Sequence, residues 1–394
     1  MSMSLPEIRA LFPALQNHVW LNAAASSPLP LPVTQALHAY NEEASQRGDL
    51  GFAKWLAMKE ATRARLAGFI KAGAHELAYV PSTSFAFHII GSMLKARGIR
   101  EVVTLEAEFP STTLPLLHAG LELQVVKAAV DGSFSVEAIA RAITPQTGAI
   151  AVSVVQFSSG FRVDLEALSA LCKARQLPLI LNAAQALGQV PLDVKALGVT
   201  FLAAPSHKWF RAGYGMGLMF IDEAWLDGPL PIRGWLSVPP AHLWQAFHGA
   251  TLRDDGPSFH AVGASFRREA SAIEAGGANW GGMIALDAAL TLHEAIGVEH
   301  TLQHNIALQM KLRTQLRQRG FTPNAPDDEK TLSGICVVPV QGDPNEVVRS
   351  LIREAHIVTT ARGVGVRIST HLFNSADDID QLMAAIDRLA IRPG

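Results

Sequence analysis

From about residue 78 to residue 221, short apolar runs typical of β-strands alternate with longer runs whose apolar residues recur at helical spacing. The strand candidates read ELAYV, EVVTL, LQVVKA, GAIAVSVV, LPLILN, VTFLAA and GMGLMFI. Repeated β-α units of this kind are typical of an α/β fold built around a mostly parallel sheet. We therefore expect an α/β domain in this part of the chain.

The segment DLEALSALCKARQ illustrates the helical runs between these strands. It places Leu165, Leu168 and Leu171 at helical spacing behind Asp164, which is a plausible N-cap. This pattern predicts a crossover helix.

The pattern changes towards the C-terminus, where residues 281–320 indicate long helices. The runs GICVVPV, NEVVRSLIREAH, HIVTTARGVGVRIST and DDIDQLMAAIDRLA then form an α+β set. We expect a second, smaller domain that begins between residues 255 and 300. The stretch from 247 to 270 is richer in Gly, Ser and charged residues than its surroundings, so we predict a surface loop there.

Composition narrows the classes of protein that this chain can belong to. A chain of 394 residues is too long for one small core, so we expect at least two domains. A content of 49% hydrophobic and 17% charged residues indicates a compact globule. A net charge of −2 without a basic block argues against a nucleic-acid partner. Because we find no signal peptide and no run of about 18 apolar residues, we expect a cytoplasmic protein with no membrane partner.

The cysteines and histidines do not predict a disulfide framework or a metal site. The chain has two cysteines, Cys172 in a helical pattern and Cys336 inside SGICVVPV, and we interpret both as core residues. The 14 histidines are scattered without the paired spacing that metal sites favour. We expect no metal.

Candidate chemistry lies where strand runs end, since open α/β sheets bind ligands beyond the carboxyl ends of their strands. After ELAYV, the residues Ser82, Thr83 and Ser84 stand where a helix should begin. There they would offer free backbone N–H groups and hydroxyls to an anion such as phosphate. Taken alone, Ser82 or Thr83 could equally serve as a simple helix cap.

Two further strand ends carry polar residues. The run LPLILNAAQALG leaves Asn182 and Gln185 at the same crevice, and the small Ala184 between them lets a flat ring approach the backbone. The run VTFLAAPSHKWF ends with Lys208 among apolar neighbours; a buried lysine that gives up its proton becomes a nucleophilic amine. A lone lysine after a strand is ordinary surface in most proteins. A phosphate seat, a ring partner and a strand-end lysine together describe a site for pyridoxal phosphate.

Motifs along nearly the whole chain resemble those of the class V aminotransferases, a fold-type I group that includes cysteine desulfurases, kynureninase and isopenicillin N epimerase. The motifs are VWLNAAASSPLP, PSTSF, EAEFPS, VSVVQFSSG, NAAQALGQVPLDVKALG, SHKW with GYGMGLMFI, EAGGANW and GVGVRISTHLFN. The resemblance implies a mostly parallel seven-stranded sheet in a large domain plus a smaller α+β C-terminal domain. We assign residues 1–20 to an N-terminal segment, 21–255 to the large cofactor-binding domain and 256–394 to the small domain with connecting helices.

The resemblance also implies roles for individual residues, with pyridoxal 5'-phosphate as cofactor and a homodimer as assembly. Lys208 would form the imine with the cofactor, and Arg367 would bind the substrate α-carboxylate through its bidentate fork. The other implied contacts are those to the phosphate from Thr83, Ser84, Ser206 and His207, to the ring oxygen from Gln185, and to the ring faces from Ala184 and Phe109. Asn22 would line the substrate mouth or fix a turn, and Trp209 would serve packing.

Four positions depart from the family pattern. Asn182 replaces the aspartate that keeps the pyridine nitrogen protonated, so the electron sink should be weaker. Phe109 replaces a histidine, which leaves Lys208 as the proton carrier. Gly277 stands where relatives use threonine to reach the neighbouring subunit's phosphate, so only its backbone N–H could serve. The desulfurase cysteine shortly before the arginine is absent.

These features predict an enzyme that uses pyridoxal phosphate and acts at Cα of a small amino acid or amine through Lys208. Aminotransferase is the default activity of the family. An amino-acid epimerase or racemase and a β-lyase stay open, because a weaker electron sink affects such reactions less. A cofactor-binding protein without turnover is the alternative from another class. The specificity pocket would be built from loops such as PIRGWLSVPP and the segment near Phe259, with Trp235 as a candidate wall.

Overall fold

The structure is a computed structural model and describes residues 3–237, 252–253, 256–257 and 266–394. Most of the loop predicted between residues 247 and 270, including Phe259, lies outside the described residues. The side chain of Trp235 lies outside them as well. A two-residue antiparallel pair, β9 (Leu252–Arg253) and β10 (Gly256–Pro257), is described within that region.

The large sheet has seven strands, and each of them arises from one of the seven apolar runs in the sequence. The strands are β2 (Leu77–Val80), β3 (Glu101–Leu105), β4 (Glu122–Val126), β5 (Thr147–Ser153), β6 (Leu179–Asn182), β7 (Val199–Pro205) and β8 (Gly217–Ile221). Their order across the sheet is β2-β8-β7-β6-β5-β3-β4. Only β8 runs antiparallel to its neighbours, so the prediction of a mostly parallel seven-stranded sheet is confirmed.

Helices cover both faces of this sheet. The described α-helices are α1 (Leu5–Ala10), α2 (Leu31–Arg47), α3 (Phe52–Phe69), α4 (Thr83–Ala96), α5 (Pro110–His118), α6 (Val136–Ala142), α7 (Leu165–Arg175), α8 (Trp280–Ile296), α9 (Val298–Gln318), α10 (Pro344–Ala355) and α11 (Ala376–Arg388). Along β5, Ile150 and Val152 join one apolar core, whereas Ala149 and Ala151 join the other. Alternation of this kind follows from the two-residue period of a strand, so the sheet is buried on both sides.

The local signals that predicted two helix starts have the expected geometry. The Asp164 side chain accepts a hydrogen bond from the backbone N–H of Ala167 at the start of α7, at 2.9 Å. The Ser82 hydroxyl accepts from the backbone N–H of Phe85 at the start of α4, at 3.2 Å. Each cap satisfies one of the N–H groups that a helix leaves without an internal partner.

The C-terminal part forms a smaller α+β unit. Its sheet is antiparallel in the order β11 (Ile335–Pro339), β14 (Gly365–Ser369) and β13 (Thr360–Arg362). The N-terminal segment joins this unit, because β1 (Val19–Trp20) pairs in parallel with β12 (Ile357–Val358). The expected α+β architecture is confirmed, while the domain boundaries at 20 and 255 stay a prediction.

Helices α8 and α9 connect the two units. Met283, Leu286 and Leu290 of α8 are buried in the main core, whereas Leu312 and Leu316 of α9 belong to the core of the smaller unit. Among the described residues no single helix is long and apolar enough to cross a membrane. The pair α8 and α9 meets that test only when taken together, and it is bent by 74° at the break.

Candidate active site

A cavity of about 360 Å³ lies at the carboxyl edge of the large sheet. Strands β2, β6 and β7 run in the same direction, since β8 lies antiparallel between β2 and β7, so their carboxyl ends meet at this edge. The described residues that line the cavity are Ala24, Ala25, Pro81, Ser82, Thr83, Ser84, Phe109, Ser111, Phe157, Ala184, Gln185, Pro205, His207, Lys208, Tyr214, Gly215, Arg362 and Arg367. The three strand ends singled out in the sequence therefore converge on one cavity.

Lys208 lies in this cavity, 5.4 Å from its Nζ to the centroid of the Phe109 ring. Burial lowers the pKa of the Lys208 ammonium to about 7, with additional contributions from the positive charges of Arg367 and Arg362. No carboxylate among the described residues contributes to this shift. A large fraction of Lys208 is therefore an uncharged, nucleophilic amine near neutral pH.

The start of helix α4 forms the anion-binding end of the cavity. The backbone N–H groups of Thr83 and Ser84 precede the first internal hydrogen bond of the helix, so they point outwards with the positive end of its dipole. Thr83 Oγ1 is buried and has no hydrogen-bond partner in the described part of the chain. An unpaired buried hydroxyl beside free N–H groups fits a phosphate oxygen.

His207 lines the same cavity. Its ring stacks on Tyr214, with 4.2 Å between ring centroids. Burial, and then the neighbouring Lys208 charge, lowers the pKa of His207 to about 4. The imidazole is therefore neutral near pH 7, and it can give a hydrogen bond without adding charge.

Gln185 is held in a fixed orientation by two hydrogen bonds. Its Nε2 donates to the carbonyl oxygen of Ala24 at 2.9 Å, and its Oε1 accepts from Trp209 Nε1 at 2.8 Å. Trp209 is fully buried, as the packing interpretation requires, and it also orients a cavity-lining amide. The sequence indicated only a packing role for Trp209, so its hydrogen bond to Gln185 was not predicted.

Asn182 is buried behind the cavity lining and does not belong to it. Its Oδ1 accepts from the backbone N–H of Ala184 at 2.9 Å, and its Nδ2 donates to Thr112 Oγ1 at 2.8 Å. A backbone N–H can only donate, so the oxygen of the amide must face Ala184. The amide orientation of Asn182 is therefore determined, with its NH₂ group towards Thr112.

Glu108 completes this buried polar chain. Thr112 Oγ1 donates to Glu108 Oε2 at 3.3 Å, and Ser153 and Gln156 donate to the same carboxyl group. Burial raises the pKa of Glu108, although these hydrogen bonds oppose the effect. Sequence reasoning missed Glu108 and Thr112. The sequence signal that could have revealed Glu108 is its position in EAEFPS, between an apolar strand and the start of a helix.

Arg367 and Arg362 line the cavity from strands β14 and β13 of the smaller sheet. Arg367 is 1% exposed, and its Nη1 donates to the carbonyl oxygen of Phe157 at 3.4 Å. Its Nε and Nη2 have no hydrogen-bond partner within the described ranges. Burial, and then the positive charge of Arg362, lowers the pKa of Arg367 to about 9. Arg362 Cζ lies 5.7 Å from the centroid of the Phe157 ring. The sequence did not lead us to predict Arg362, which precedes the turn between β13 and Arg367.

Besides Asn182, three predicted site residues lie outside the cavity lining. The hydroxyl of Ser206 lies 2.8 Å from the carbonyl oxygens of Gly213 and Met216, where it supports the loop that carries Tyr214. Asn22 accepts a hydrogen bond from Thr360 Oγ1 at 2.8 Å. Gly277 is exposed, with a φ of 56° that suits glycine. The cofactor or substrate contacts predicted for Ser206, Asn22 and Gly277 stay predictions.

Neither cysteine of the chain lines the cavity. Cys172 is buried in α7 and Cys336 is buried in β11. Burial raises the pKa of the Cys172 thiol to about 12 and that of the Cys336 thiol to about 11. Both are therefore unreactive core thiols, as expected.

The residues around the cavity fit pyridoxal phosphate. The uncharged Lys208 amine suits its aldehyde, the start of α4 suits its phosphate, and Ala184 and Phe109 leave space for a flat ring. Arg367 adds a site for a carboxylate. The fold and the cavity together define a fold-type I site for this cofactor.

Comparison with known proteins agrees with this class. The family model described as "Aminotransferase class-V" matches residues 19–382, so the chain belongs to the class V aminotransferase family. A probable cysteine desulfurase of Methanothermobacter thermautotrophicus is 26% identical, with 98% of each chain covered. The uncharacterized aminotransferase YcbU of Bacillus subtilis is 25% identical, also over 98% of each chain.

Solved structures share the fold at lower identity. The apo structure of cysteine desulfurase from Thermococcus onnurineus superposes with a TM-score of 0.85 at 22% identity, and 98% of each chain is covered. A complex of the cystine C-S lyase C-DES with its product cysteine persulfide has a TM-score of 0.82 at 20% identity, covering 96% of this chain and 99% of that one. The chain is an enzyme of the pyridoxal-phosphate-dependent class to which its family belongs.

Proposed function

We propose that this enzyme transforms a small amino acid or amine at Cα, with Lys208 moving the α-proton and Arg367 binding the α-carboxylate. The observation that carries the proposal is the depressed pKa of Lys208, about 7, in a cavity that Arg367 also lines. A group that titrates near the working pH is suited to both accept and return a proton. Aminotransferase is the default activity for this arrangement.

Lys208 is the cavity residue best placed for proton transfer. Phe109 has no ionisable group, and His207 is neutral because its pKa is lowered to about 4. Bound pyridoxal phosphate supplies an electrophilic carbon and an electron-accepting ring. The protein supplies orientation through Gln185 and Arg367, and Phe109 and Phe157 add apolar surface to the cavity.

The names of several relatives suggest cysteine desulfuration, but the cysteine content of this chain argues against it. Family desulfurases carry a nucleophilic cysteine on a loop shortly before the carboxylate-binding arginine. This sequence contains only Cys172 and Cys336, and both thiols are buried with raised pKa values. A thiolate that could accept sulfur from a substrate is therefore lacking at the cavity.

A β-lyase or an epimerase is the second candidate, and the buried amide of Asn182 favours it. Asn182 is a neutral amide whose NH₂ group donates to Thr112, so it cannot hold a proton on the ring nitrogen as a carboxylate does. A weaker electron sink hinders transamination more than elimination of a good leaving group. The C-S lyase among the structural neighbours performs a reaction of the elimination type.

The test begins with trapping the cofactor on the protein by borohydride reduction. We expect the phosphopyridoxyl adduct to map to Lys208, to disappear in Lys208→Ala, and to persist in the control Lys127→Ala, which removes an exposed lysine. Turnover should fall at least about 1000-fold in Lys208→Ala. An adduct on another lysine would refute the proposal.

The reaction type follows from products. The holoenzyme is mixed with L- and D-amino acids, and products are identified by mass spectrometry. A keto acid with aminated cofactor indicates transamination, the opposite enantiomer indicates epimerisation, and ammonia with pyruvate indicates β-elimination. Absence of any product, and of any absorbance change, would support a binding protein without turnover. A cytoplasmic homodimer stays the prediction for location and assembly.

A further inference from the structure

Pairing of β13 with β14 places Arg362 beside Arg367 on one face of the small sheet. Thr360 is the direct partner of Arg367, and Arg362 pairs with Gly365. Arg362 lies two residues after Thr360, so its side chain is on the same face as those of Thr360 and Arg367. Arg362 is therefore the diagonal neighbour of Arg367, within reach for long side chains.

The charges of the cavity are one-sided. Its lining contains the basic residues Lys208, Arg362 and Arg367, and no Asp or Glu among the described residues that line it. Arg362 Nε is buried without a hydrogen-bond partner in the described ranges, as are two nitrogens of Arg367. Two neighbouring guanidinium groups without a carboxylate repel each other, and only an anion from outside the described residues can offset that cost.

The two arginines are separate from the residues predicted to contact the cofactor phosphate. The phosphate contacts predicted from the sequence are the N–H groups and hydroxyls at the start of α4 together with His207, whereas both arginines belong to the small sheet. The α-carboxylate of the proposed substrate takes Arg367. Arg362 then remains, with only a 3.4 Å hydrogen bond to Ala361 O and the ring of Phe157 at 5.7 Å.

We infer that the cavity selects an amino acid with a second carboxylate on its side chain, and that Arg362 binds this carboxylate. The inference rests on the proposed function and specifies its substrate class as dicarboxylic amino acids. Phe157 contacts both arginines: its carbonyl oxygen accepts from Arg367, and its ring lies beside Arg362. It therefore sets the spacing between the two carboxylate sites.

A binding experiment tests Arg362 without any turnover. The holoenzyme is titrated by calorimetry with succinate and glutarate, and with butyrate and valerate as monocarboxylate counterparts. Because a hydrogen bond to a charged group contributes measurably more than a neutral one, we expect the dicarboxylates to bind roughly 10- to 100-fold more tightly. Arg362→Gln should abolish that preference, and Arg362→Lys should keep part of it. The control Arg392→Gln, which removes an exposed arginine, should leave it unchanged.

A second measurement uses substrates. Cofactor absorbance is followed while aspartate or glutamate is added, and asparagine or glutamine serves as the neutral partner of each. We expect Arg362→Gln to weaken binding of the acidic member only. Equal weakening of both members, or no acidic preference in the unmodified enzyme, would overturn the inference. Since these results require a cofactor adduct on Lys208, failure of that adduct would instead count against the proposed function.

Discussion

Two sites in this molecule bury cationic side chains in different ways. Near the start of β2, Lys59 and Arg63 are almost fully buried and share the carboxylate of Glu274, with Nζ to Oε2 at 2.6 Å and Nη1 to Oε1 at 2.5 Å. At the cavity, Arg367 is buried and Arg362 is half-buried, but no carboxylate faces them in the described part of the chain.

The pKa values of the two sites move in opposite directions. Burial alone would lower the pKa of Arg63, but Glu274 and Glu60 raise it above its usual value. Burial, and then the positive charge of Arg362, lowers the pKa of Arg367 to about 9. The first site is a closed ion-pair cluster. The second has no carboxylate partner among the described residues, and we assign it to ligand binding because it lines the cavity.

A buried arginine elsewhere, Arg211, shows that the lack of a carboxylate partner does not by itself identify a ligand-binding residue. Its guanidinium nitrogens lie 2.9 Å from His371 Nε2 and 3.0 Å from His293 Nε2, and burial lowers the pKa of Arg211 to about 9. Arg211 does not line the cavity. Functional assignment of Arg362 and Arg367 therefore depends on their place in a cavity as well as on their charge.

Replacing Glu274 gives the largest expected effect on stability. In Glu274→Gln, the buried charges of Lys59 and Arg63 lose their shared partner, which should lower the free energy of unfolding by about 3–5 kcal/mol. Urea denaturation of the apoprotein measures this change. The exposed pair of Lys54 with Glu43 provides the control, since Glu43→Gln should change stability by less than about 1 kcal/mol. Equal losses of stability in Glu274→Gln and Glu43→Gln would contradict the structural role of the buried cluster.

Replacing Arg367 should give the reverse pattern. Arg367→Gln removes a buried charge that lacks a carboxylate, so the free energy of unfolding should stay the same or increase. Amino-acid binding should weaken roughly 10- to 100-fold, because the α-carboxylate loses its charged donor. Absorbance titration of the holoenzyme measures binding, and urea denaturation measures stability. A loss of stability comparable to that of Glu274→Gln would indicate a structural arginine.

The pH dependence of cofactor uptake tests the electrostatics of Lys208. The rate at which the apoprotein takes up pyridoxal phosphate should rise as pH increases through about 7, because only the deprotonated amine attacks the aldehyde. The positive charges of Arg367 and Arg362 help to lower the pKa of Lys208, so Arg362→Gln should move the midpoint to higher pH. Stopped-flow absorbance measures the rate. A midpoint that does not move, or that falls, would contradict this electrostatic coupling.

The smallest predicted effect concerns the polar chain behind the cavity. Thr112→Val removes the hydroxyl between Asn182 and Glu108, which leaves the buried NH₂ group of Asn182 without that partner. We expect stability to fall by about 1–3 kcal/mol. The absorbance of the bound cofactor should shift only slightly, because the hydrogen bond from the Ala184 N–H still fixes the amide orientation of Asn182. Thr34→Val is a control on a partly exposed hydroxyl, and it should leave the spectrum unchanged.

Much of the site could be predicted because its residues follow apolar strands. Thr83, Gln185 and Lys208 stand directly after β2, β6 and β7, and parallel strands bring their carboxyl ends to one edge. Glu108, Thr112 and Arg362 could not be found in this way. Their significance depends on contacts between segments far apart in the chain, such as Asn182 with Thr112 and Phe157 with Arg367.

The sequence by itself determined the seven strands of the large sheet, the capped starts of α4 and α7, and the lysine, since these depend on local periodicity and nearest neighbours. Tertiary structure decided which charges are neutralised. Glu274 lies 211 residues after Arg63 in the chain and contacts it directly, whereas Arg362 and Arg367 are close in both sequence and space and have no such partner in the described residues. Whether a buried charge is paired depends on distant segments brought together by folding, because electrostatic energy varies with distance in space and with burial.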